Sequence, residues 1–284
     1  MNIQWYPGHM TKARRMMQEN IKLIDLVIEL ADARLPLSSR NPDIDDMARG
    51  KARMILLTKA DMADPKVNDL WEKWFSEKGF FVKQIDSRKK NDVKAITPVI
   101  VQACQEKIER DRRRGIKNRP VRAMIAGIPN VGKSTFINSY AGRASAKTGN
   151  KPGVTRGAQW IKAAKNVEML DTPGLLWPKF DDQLTGIKLA AAGSISDDVL
   201  DITDLSLWLI DYLHRNYPQA AADRYGVDTG QEDKALLLAD IAVNRKCITK
   251  GGEPDLTRAA RLVLDDFRSG RLGRISLERP GEES

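Results

Sequence analysis

The segment GIPNVGKSTFIN, from Gly127 to Asn138, constrains the fold of this chain more than any other stretch. It fits the phosphate-loop pattern G-x-x-x-x-G-K-[ST] at every position. An apolar run from Val121 to Gly127 precedes it, and Ser134 to Gly142 has the pattern of a helix that ends at glycine. A strand, a glycine loop and a helix in this order predict an α/β domain that binds phosphate groups with backbone N–H groups and a helix N-terminus.

Several side chains near this loop have defined chemistry in such a site. Lys133 is placed to reach the β- and γ-phosphates, and the Ser134 hydroxyl is placed to ligate Mg²⁺. The later segment MLDTPG supplies Asp171, expected to hold Mg²⁺, and Gly174, expected to donate its N–H to the γ-phosphate. Thr155, in KPGVTRG, is the expected second hydroxyl ligand of Mg²⁺, with an ordinary turn threonine as the alternative. The other loop residues expected to contact the nucleotide are Asn130, Val131, Gly132 and Thr135.

A base-recognition motif, LLTKAD from Leu56 to Asp61, lies about seventy residues before the loop. A carboxylate at Asp61 can accept two hydrogen bonds from N1–H and N2–H₂ of guanine, and adenine has no such pair of donors on that edge. We therefore expect GTP instead of ATP. Lys59 is expected to lie along the base and ribose, while Asp86 and Ser87 end the next apolar run, where a loop would cover the guanine O6.

The pattern along the chain predicts an α/β sheet followed by a helical region. Apolar runs at 25–33, 52–58, 79–86 and 121–127 alternate with helical stretches, and AQWIKAA with NVEMLDT predicts a hairpin that ends at Asp171. After about Lys179 the strand patterns stop and amphipathic helices follow. We expect two domains, 1–178 and 179–284, with ERPGEES at the end as a frayed tail.

Composition and charge limit the class of protein and its surroundings. The 284 residues are 42% hydrophobic, and no apolar run approaches the roughly 18 residues that a membrane span needs. The beginning of the sequence has no apolar signal-peptide core, and Cys104 and Cys247 lack metal-ligand spacing, so we expect a cytoplasmic protein with no membrane partner. The net charge of +9 favours a polyanionic partner such as nucleic acid.

The motifs together occur in the order 4-5-1-2-3, which is the usual order of a GTPase read cyclically. The chain resembles the circularly permuted GTPases, and within them the ribosome biogenesis GTPase A family. Its segments WYPGHMTKA and DARLPLSSRNP match that family's signature, and the resemblance covers nearly the whole chain. It implies a circularly permuted P-loop GTPase domain, a mostly parallel sheet with helices on both faces, followed by a smaller all-helical domain.

This resemblance also implies a function. It implies a monomeric GTP-hydrolysing factor that acts late in assembly of the large (50S) ribosomal subunit, binds 23S rRNA and assembly intermediates in its GTP state, and leaves after ribosome-stimulated hydrolysis to GDP. Mg²⁺ is the implied cofactor. Two alternatives stay open: an RNA-binding scaffold whose conformation is set by nucleotide, and a GTPase that acts on tRNA.

Hydrolysis requires a group that orients the attacking water, and the usual glutamine is absent. The residue after the glycine of the D-x-x-G motif is Leu175, which cannot hydrogen-bond water. A neutral imidazole can accept a hydrogen bond from water, and His9 follows a Pro-Gly turn. A catalytic role for His9 and a structural or partner-contact role are equally open. His214 is expected to cap a helix or face solvent.

Two further residues depart from, or add to, the common GTPase pattern. Thr58 begins the base-recognition motif where most GTPases have an asparagine that braces the phosphate loop, so we expect some loss of affinity while guanine selection survives. In GTPases that the chain resembles, an asparagine at the position of Asn130 helps to bind K⁺ beside the phosphates; an ordinary loop asparagine is the alternative.

Basic residues concentrate in three places. The stretch 107–122 holds eight basic and two acidic residues and joins what would be the termini of an unpermuted GTPase. It is either a solvated linker or an electrostatic footprint for RNA phosphates. The remaining basic residues of this kind are Lys12, Arg14, Arg15 and Lys22 near the beginning, and Arg258, Arg261, Arg268, Arg271 and Arg274 near the end.

Overall fold

A single sheet organises the first part of the chain. The computed structural model describes residues 8–116, 119–146, 158–164, 166–180, 182–228 and 230–281. Within these ranges the strands are β1 (Leu26–Asp32), β2 (Ala52–Thr58), β3 (Phe81–Gln84), β4 (Val121–Gly127), β5 (Gln159–Ala164) and β6 (Val167–Asp171). Their order is β3-β2-β1-β4-β6-β5, and every neighbouring pair is parallel except the β5–β6 hairpin. The predicted mostly parallel sheet and its hairpin are confirmed.

The burial of each strand follows its position in the sheet. Every residue of the central strand β1 is buried, as expected for a parallel strand covered on both faces, whereas the edge strand β5 alternates exposed and buried positions over part of its length. The strands themselves are longest at the centre of the sheet, with seven residues each in β1, β2 and β4 and four to six in the other three. The run 79–86 contributes only four strand residues, so Asp86 and Ser87 lie in the loop after β3.

Helices cover the sheet and then make up the rest of the described chain. Those packed with the sheet are α1 (His9–Asn20), α2 (Pro42–Met47), α3 (Pro65–Glu77), α4 (Lys90–Lys94), α5 (Ile96–Ala103), α6 (Gln105–Arg113) and α7 (Lys133–Ala141). The later ones are α8 (Gln183–Ala191), α9 (Ile202–Asn216), α10 (Pro218–Tyr225), α11 (Lys234–Asn244) and α12 (Leu256–Arg268). None of the helices in the described ranges is long and apolar enough to cross a bilayer.

Local sequence explains where the later helices begin. Aspartate side chains at the N-caps of α8, α9, α11 and α12 accept hydrogen bonds from backbone N–H groups of the first turn, and α10 begins with proline. The helical region that the sequence predicted is therefore present. The boundary between residues 178 and 179 stays a prediction. The stretch 107–122 is not simply a linker, because its first residues belong to α6.

The segment after α12 packs against the sheet region, so the frayed tail predicted for ERPGEES was wrong at its first residue. Glu278 is buried, and its carboxylate accepts hydrogen bonds from the Ser38 hydroxyl at 2.7 Å, the Ser38 N–H at 3.0 Å and the Leu37 N–H. Its Oε2 also lies 3.3 Å from Lys188 Nζ, and its backbone carbonyl accepts from the Trp71 indole at 3.2 Å. Glu278, although it begins a polar segment, is thus buried and joins that segment to the sheet region.

A second buried contact joins the end of β1 to the end of α12. The Arg34 guanidinium is 1% exposed and donates to the two carboxylate oxygens of Asp32 at 2.9 and 2.7 Å. It also donates to the backbone carbonyl of Phe267 at 3.0 Å and lies 4.7 Å from the centre of that residue's ring. Arg34 therefore fixes the last helix relative to the carboxyl end of β1.

We predict that Arg34→Met lowers the free energy of unfolding by about 3–5 kcal/mol, because it leaves the buried Asp32 carboxylate with Lys59 as its remaining cation. The control is Arg15→Met, which removes an exposed ion pair with Glu19 and should cost about 0–1 kcal/mol. Urea unfolding followed by circular dichroism measures both. The double variant Asp32→Asn, Arg34→Met should recover part of the loss. Equal stabilities of the two single variants would contradict the assignment.

Candidate nucleotide-binding site

The phosphate loop lies between the end of β4 and the start of α7, as its sequence predicted. Gly127 has a φ of +147°, and a Cβ there would lie 2.7 Å from the backbone oxygen of Leu30. A Cβ at Gly174 would lie 2.7 Å from backbone atoms of Pro129, which shows how closely the MLDTPG segment approaches the loop. Glycine is required at both positions because each allows a close backbone approach.

Lys133 and Asp171 form the charged centre of this site. Lys133 is buried and its Nζ donates to the carbonyls of Gly127 at 2.9 Å and Ile128 at 2.7 Å. Burial lowers the pKa of Lys133 to about 8, against the opposing charge of Asp171. Burial likewise raises the pKa of Asp171 to about 6, against the opposing charge of Lys133. The two charges therefore compensate each other only in part, and the phosphates of a nucleotide and a divalent cation would supply further compensation.

The residues present suit Mg²⁺. Asp171 Oδ1 is buried and has no hydrogen-bond partner within the described ranges, and carboxylate and hydroxyl oxygens are the ligands that this cation prefers. Ser134 is the second residue of α7 and is half-buried beside Lys133. Thr155, the other predicted ligand, lies outside the described residues. The described part of the chain contains no cluster of three His, Cys, Asp or Glu side chains, so any metal here would depend on the nucleotide for further ligands.

The base-recognition motif is tied directly to the phosphate loop. The Thr58 hydroxyl lies 2.7 Å from the carbonyl of Val131 and 3.1 Å from that of Ala31, and its one proton can be donated to either. This is the contact between the two motifs that an asparagine provides in most GTPases. The shorter threonine therefore still reaches the loop, and the substitution at this position does not separate the motifs.

Lys59 is oriented by a residue that sequence reasoning did not assign to the site. It has a left-handed backbone with φ of +56°, and its Nζ lies 2.8 Å from Asp32 Oδ2. Burial alone would raise the pKa of Asp32, yet Arg34 and Lys59 hold it far below its ordinary range. Asp32 is thus a permanent anion that positions the lysine stem. The signal was present in the DAR tripeptide, whose aspartate is the last residue of a buried apolar strand.

Asp61 has one carboxylate oxygen engaged and one without a partner. Its Oδ2 accepts from Arg88 Nη2 at 2.6 Å, while Oδ1 is buried and has no hydrogen-bond partner among the described residues. Arg88 also donates to both carboxylate oxygens of Asp86, at 2.9 and 3.2 Å, and this hydrogen bonding lowers the pKa of Asp86. The buried hydroxyl of Ser87 likewise has no described partner. The predicted base site is therefore assembled around Arg88, a residue that no sequence pattern singled out.

Asn130 connects the phosphate loop to the helical region. It has a left-handed backbone with φ of +59°, and its Nδ2 donates to the carbonyl of Gly193, just after α8, at 2.7 Å. The segment after Gly174 is held in a similar way, because Asn41 Nδ2 donates to the carbonyl of Leu175 at 3.0 Å. The Leu175 side chain is 1% exposed, so it packs in the core. It does not face the phosphates, as a side chain that orients the attacking water would.

The remaining predicted residues have different outcomes. Val131 is buried, Gly132 has a φ of +104° and caps α7, and Thr135 is exposed on its first turn. His9 is the first residue of α1, and its side chain lies outside what the structure describes. His214 lies in the last turn of α9, but its Nδ1 is buried and has no described partner, so the expected capping or solvent-facing role is not seen for that nitrogen.

Comparison with known proteins supplies the family. Residues 122–243 match the model of the 50S ribosome-binding GTPase family. A ribosome biogenesis GTPase A from Bacillus cereus is 46% identical over 99% of this chain and 95% of its own length. The mitochondrial ribosome-associated GTPase 1 of Bos taurus is 32% identical over 97% of this chain and 88% of its own.

A solved structure agrees with the sequence relatives. The GNP-bound YlqF from Thermotoga maritima superposes with a TM-score of 0.64 and 26% identity, and the match covers 96% of this chain and 100% of that one. The sequence relatives and the solved structure each match this chain over nearly its whole length. The chain belongs to the ribosome biogenesis GTPase A family.

Proposed function

We propose that this GTPase acts in late maturation of the large (50S) ribosomal subunit in the cytoplasm. As a monomer with GTP bound it associates with 23S rRNA and assembly intermediates, and it leaves after the particle stimulates hydrolysis to GDP. One observation carries this proposal more than any other: the Asn130 side chain of the phosphate loop donates directly to the Gly193 carbonyl at 2.7 Å. The nucleotide site and the helical region are therefore in contact without an intervening linker.

This contact supports a switch that depends on the nucleotide. The segment from Asp171 to Trp177 follows β6 and leads within a few residues into α8. If γ-phosphate orders this segment through the Gly174 N–H, the position of α8 relative to the sheet changes with it. A helical region that binds RNA would then have different affinities in the GTP and GDP states, as a factor that binds and leaves requires.

The charged surface supports an RNA partner, with one correction to the predicted basic face. Arg268 does not belong to it, because its guanidinium donates to the carbonyls of Ala190 and Ala191 and to the Asp197 carboxylate. Arg271 is paired with Asp266 at 2.6 Å. The exposed basic residues that remain in these stretches include Lys12, Lys22, Arg110, Arg112, Arg113, Arg114, Arg258, Arg261 and Arg274.

Within the catalytic site, each side chain has a distinct task. Lys133 would exchange its two carbonyl partners for phosphate oxygens, and Ser134, Thr155 and Asp171 would hold Mg²⁺ directly or through water. When bound there, Mg²⁺ would neutralise the negative charge that develops on the phosphates. Asp61 would use its unpartnered Oδ1 for the guanine edge, with Lys59 alongside the base. These assignments leave one task unfilled, the orientation of water.

The decisive experiment compares GTP turnover with and without purified large subunits. We expect the subunit to stimulate turnover and Lys133→Ala to abolish it, since no other described cation in the loop can compensate phosphate charge. Lys73→Ala, on the exposed surface of α3, is the matched control and should behave as wild type. Absence of stimulation would favour a scaffold in which turnover is incidental. Stimulation by tRNA alone would favour a GTPase that acts on tRNA.

Asn130 is also our candidate K⁺ ligand, because its carbonyl oxygen belongs to an amide whose orientation is fixed by Gly193. We predict that replacing Na⁺ by K⁺ at constant ionic strength raises turnover severalfold, and that Asn130→Ala removes the difference. Since this variant also loses the Gly193 contact, the ratio of the two rates is measured and not the absolute rate. The control is Asn216→Ala, at the exposed C-terminal end of α9. Equal wild-type rates in the two salts would exclude a K⁺ site.

His9 is our candidate for the group that orients water, because Leu175 is buried away from that task. His9→Ala should lower subunit-stimulated turnover by about 10²–10⁴, the usual loss when a positioned proton-transfer group is removed, with GTP affinity nearly unchanged. His214→Ala should stay within a few-fold of wild type. Full stimulated activity of His9→Ala would assign the task to the ribosome or to K⁺. Weakened subunit binding with normal chemistry would make His9 a partner contact.

A further inference from the structure

A recess on the sheet region lies away from the nucleotide site. Its volume is about 380 Å³, and its lining residues are Leu23, Arg122, Trp160, Ile161, Lys162 and Glu168. Arg122 is the second residue of β4, whereas the phosphate loop begins after the last residue of that strand, Gly127. Five residues of a strand span about 16 Å, so the recess and the phosphate site are separate.

The register of three neighbouring strands builds the floor of the recess. Arg122 of β4 is paired with Glu168 of β6, and Glu168 with Lys162 of β5. Residues paired in this way lie on the same face of a sheet, so the three charges form a row of alternating sign. Arg122 Nε donates to Glu168 Oε2 at 3.2 Å, which fixes the guanidinium. The same guanidinium lies 5.4 Å from the centre of the Trp160 ring.

The apolar part of the recess is unusually accessible. Trp160 is 39% exposed and Leu23 is 48% exposed. By contrast, Trp71 of α3 lies in the core and is 1% exposed. A tryptophan with a purely structural packing role would be expected to be buried, as Trp71 is. An accessible indole beside a fixed guanidinium provides two planar groups on which a further planar group can stack.

The charge around the recess selects the class of partner. Its rim carries Lys162 and Arg122, with Lys22 and Arg119 nearby in sequence. The carboxylates of Asp25 and Asp111 lie close to these basic residues and are already paired: Asp25 lies 3.3 Å from Lys107 Nζ and 3.7 Å from Arg119, and Asp111 lies 3.2 Å from Lys107 Nζ. The balance is positive. Phosphate groups complement such a rim, and a nucleic-acid base complements the indole.

We propose that this recess binds a single unpaired base of RNA, a proposal that rests on the function proposed above because it requires an RNA partner. The base stacks on Trp160, its N–H groups can donate to Glu168, and the adjoining phosphate contacts Lys162. The volume is at the lower end of the range for small-ligand pockets, about 300–1,000 Å³, so one nucleotide fits and a double helix does not. Unpaired bases are also the part of folded RNA that proteins recognise by stacking.

The test uses the full chain with a non-hydrolysable GTP analogue and a single-stranded RNA oligonucleotide that carries 2-aminopurine. Trp160→Ala should weaken binding about 5- to 150-fold, the range for loss of one base–aromatic stack, while Trp160→Phe should stay within a few-fold of wild type. Lys162→Gln should weaken binding less and reduce the salt dependence by about one phosphate contact. Leu236→Ala, which truncates another exposed apolar residue, is the matched control and should have no effect.

Two further measurements separate the possible failures. Basal GTP turnover and thermal unfolding of Trp160→Ala should match wild type, because the recess is outside the nucleotide site; a variant that unfolds is replaced by Trp160→Leu. If wild-type protein binds RNA and both recess variants bind equally well, the recess proposal is wrong and the proposed function stands. If wild-type protein binds neither RNA nor large subunits, the proposed function fails. Loss of binding to large subunits with unchanged binding to protein-free RNA would mean that the recess contacts a protein, which also overturns the proposal.

Discussion

The buried ion pair between Asp32 and Arg34 is the interaction on which the arrangement of the molecule depends. A carboxylate at the end of β1 would be costly to bury alone, so its two cations are held in fixed positions. One of them, Lys59, lies 2.8 Å away and belongs to the base-recognition motif; the other, Arg34, reaches the carbonyl of Phe267 at the end of α12. A single charge thus positions both the lysine of the base-recognition motif and the last helix.

The phosphate end of the site has its own connection to the helical region, through Asn130 and Gly193. The base end and the phosphate end are in turn linked by the Thr58 hydroxyl, 2.7 Å from the Val131 carbonyl. The region after residue 182 therefore has two separated connections to this part of the sheet, one from Gly193 to Asn130 and one from Phe267 to Arg34, which holds Asp32 beside Lys59. A rearrangement of the phosphate loop that broke one contact and kept the other would rotate this region instead of releasing it, which suits a factor that changes its fit to a large particle.

Those features that follow from local sequence could be predicted, and those that join distant segments could not. The phosphate loop, the strands and the aspartate-capped helices each depend on residues within one element and its neighbours. The Glu278 contact with Ser38 spans 240 positions, and the Arg34 contact with Phe267 spans 233. Arg88 was missed and Arg268 was wrongly placed on the basic face for the same reason: the partner of a charged side chain cannot be identified from the neighbouring sequence. The roles of the predicted nucleotide-binding, metal-binding and catalytic residues, Thr155 and His9 among them, stay predictions.

The order of the strands in the sheet has a consequence for how the chain folds during synthesis. β1 lies between β2 and β4, yet β4 begins 89 residues after β1 ends, and the residues that complete the pocket around Ser38 follow far later. Until β4 emerges, one edge of β1 has no strand to pair with, and an unpaired apolar edge is a site for aggregation. In this circularly permuted order, the strands next to the base-recognition motif are synthesised first. They must remain soluble until the strand that leads into the phosphate loop has been made.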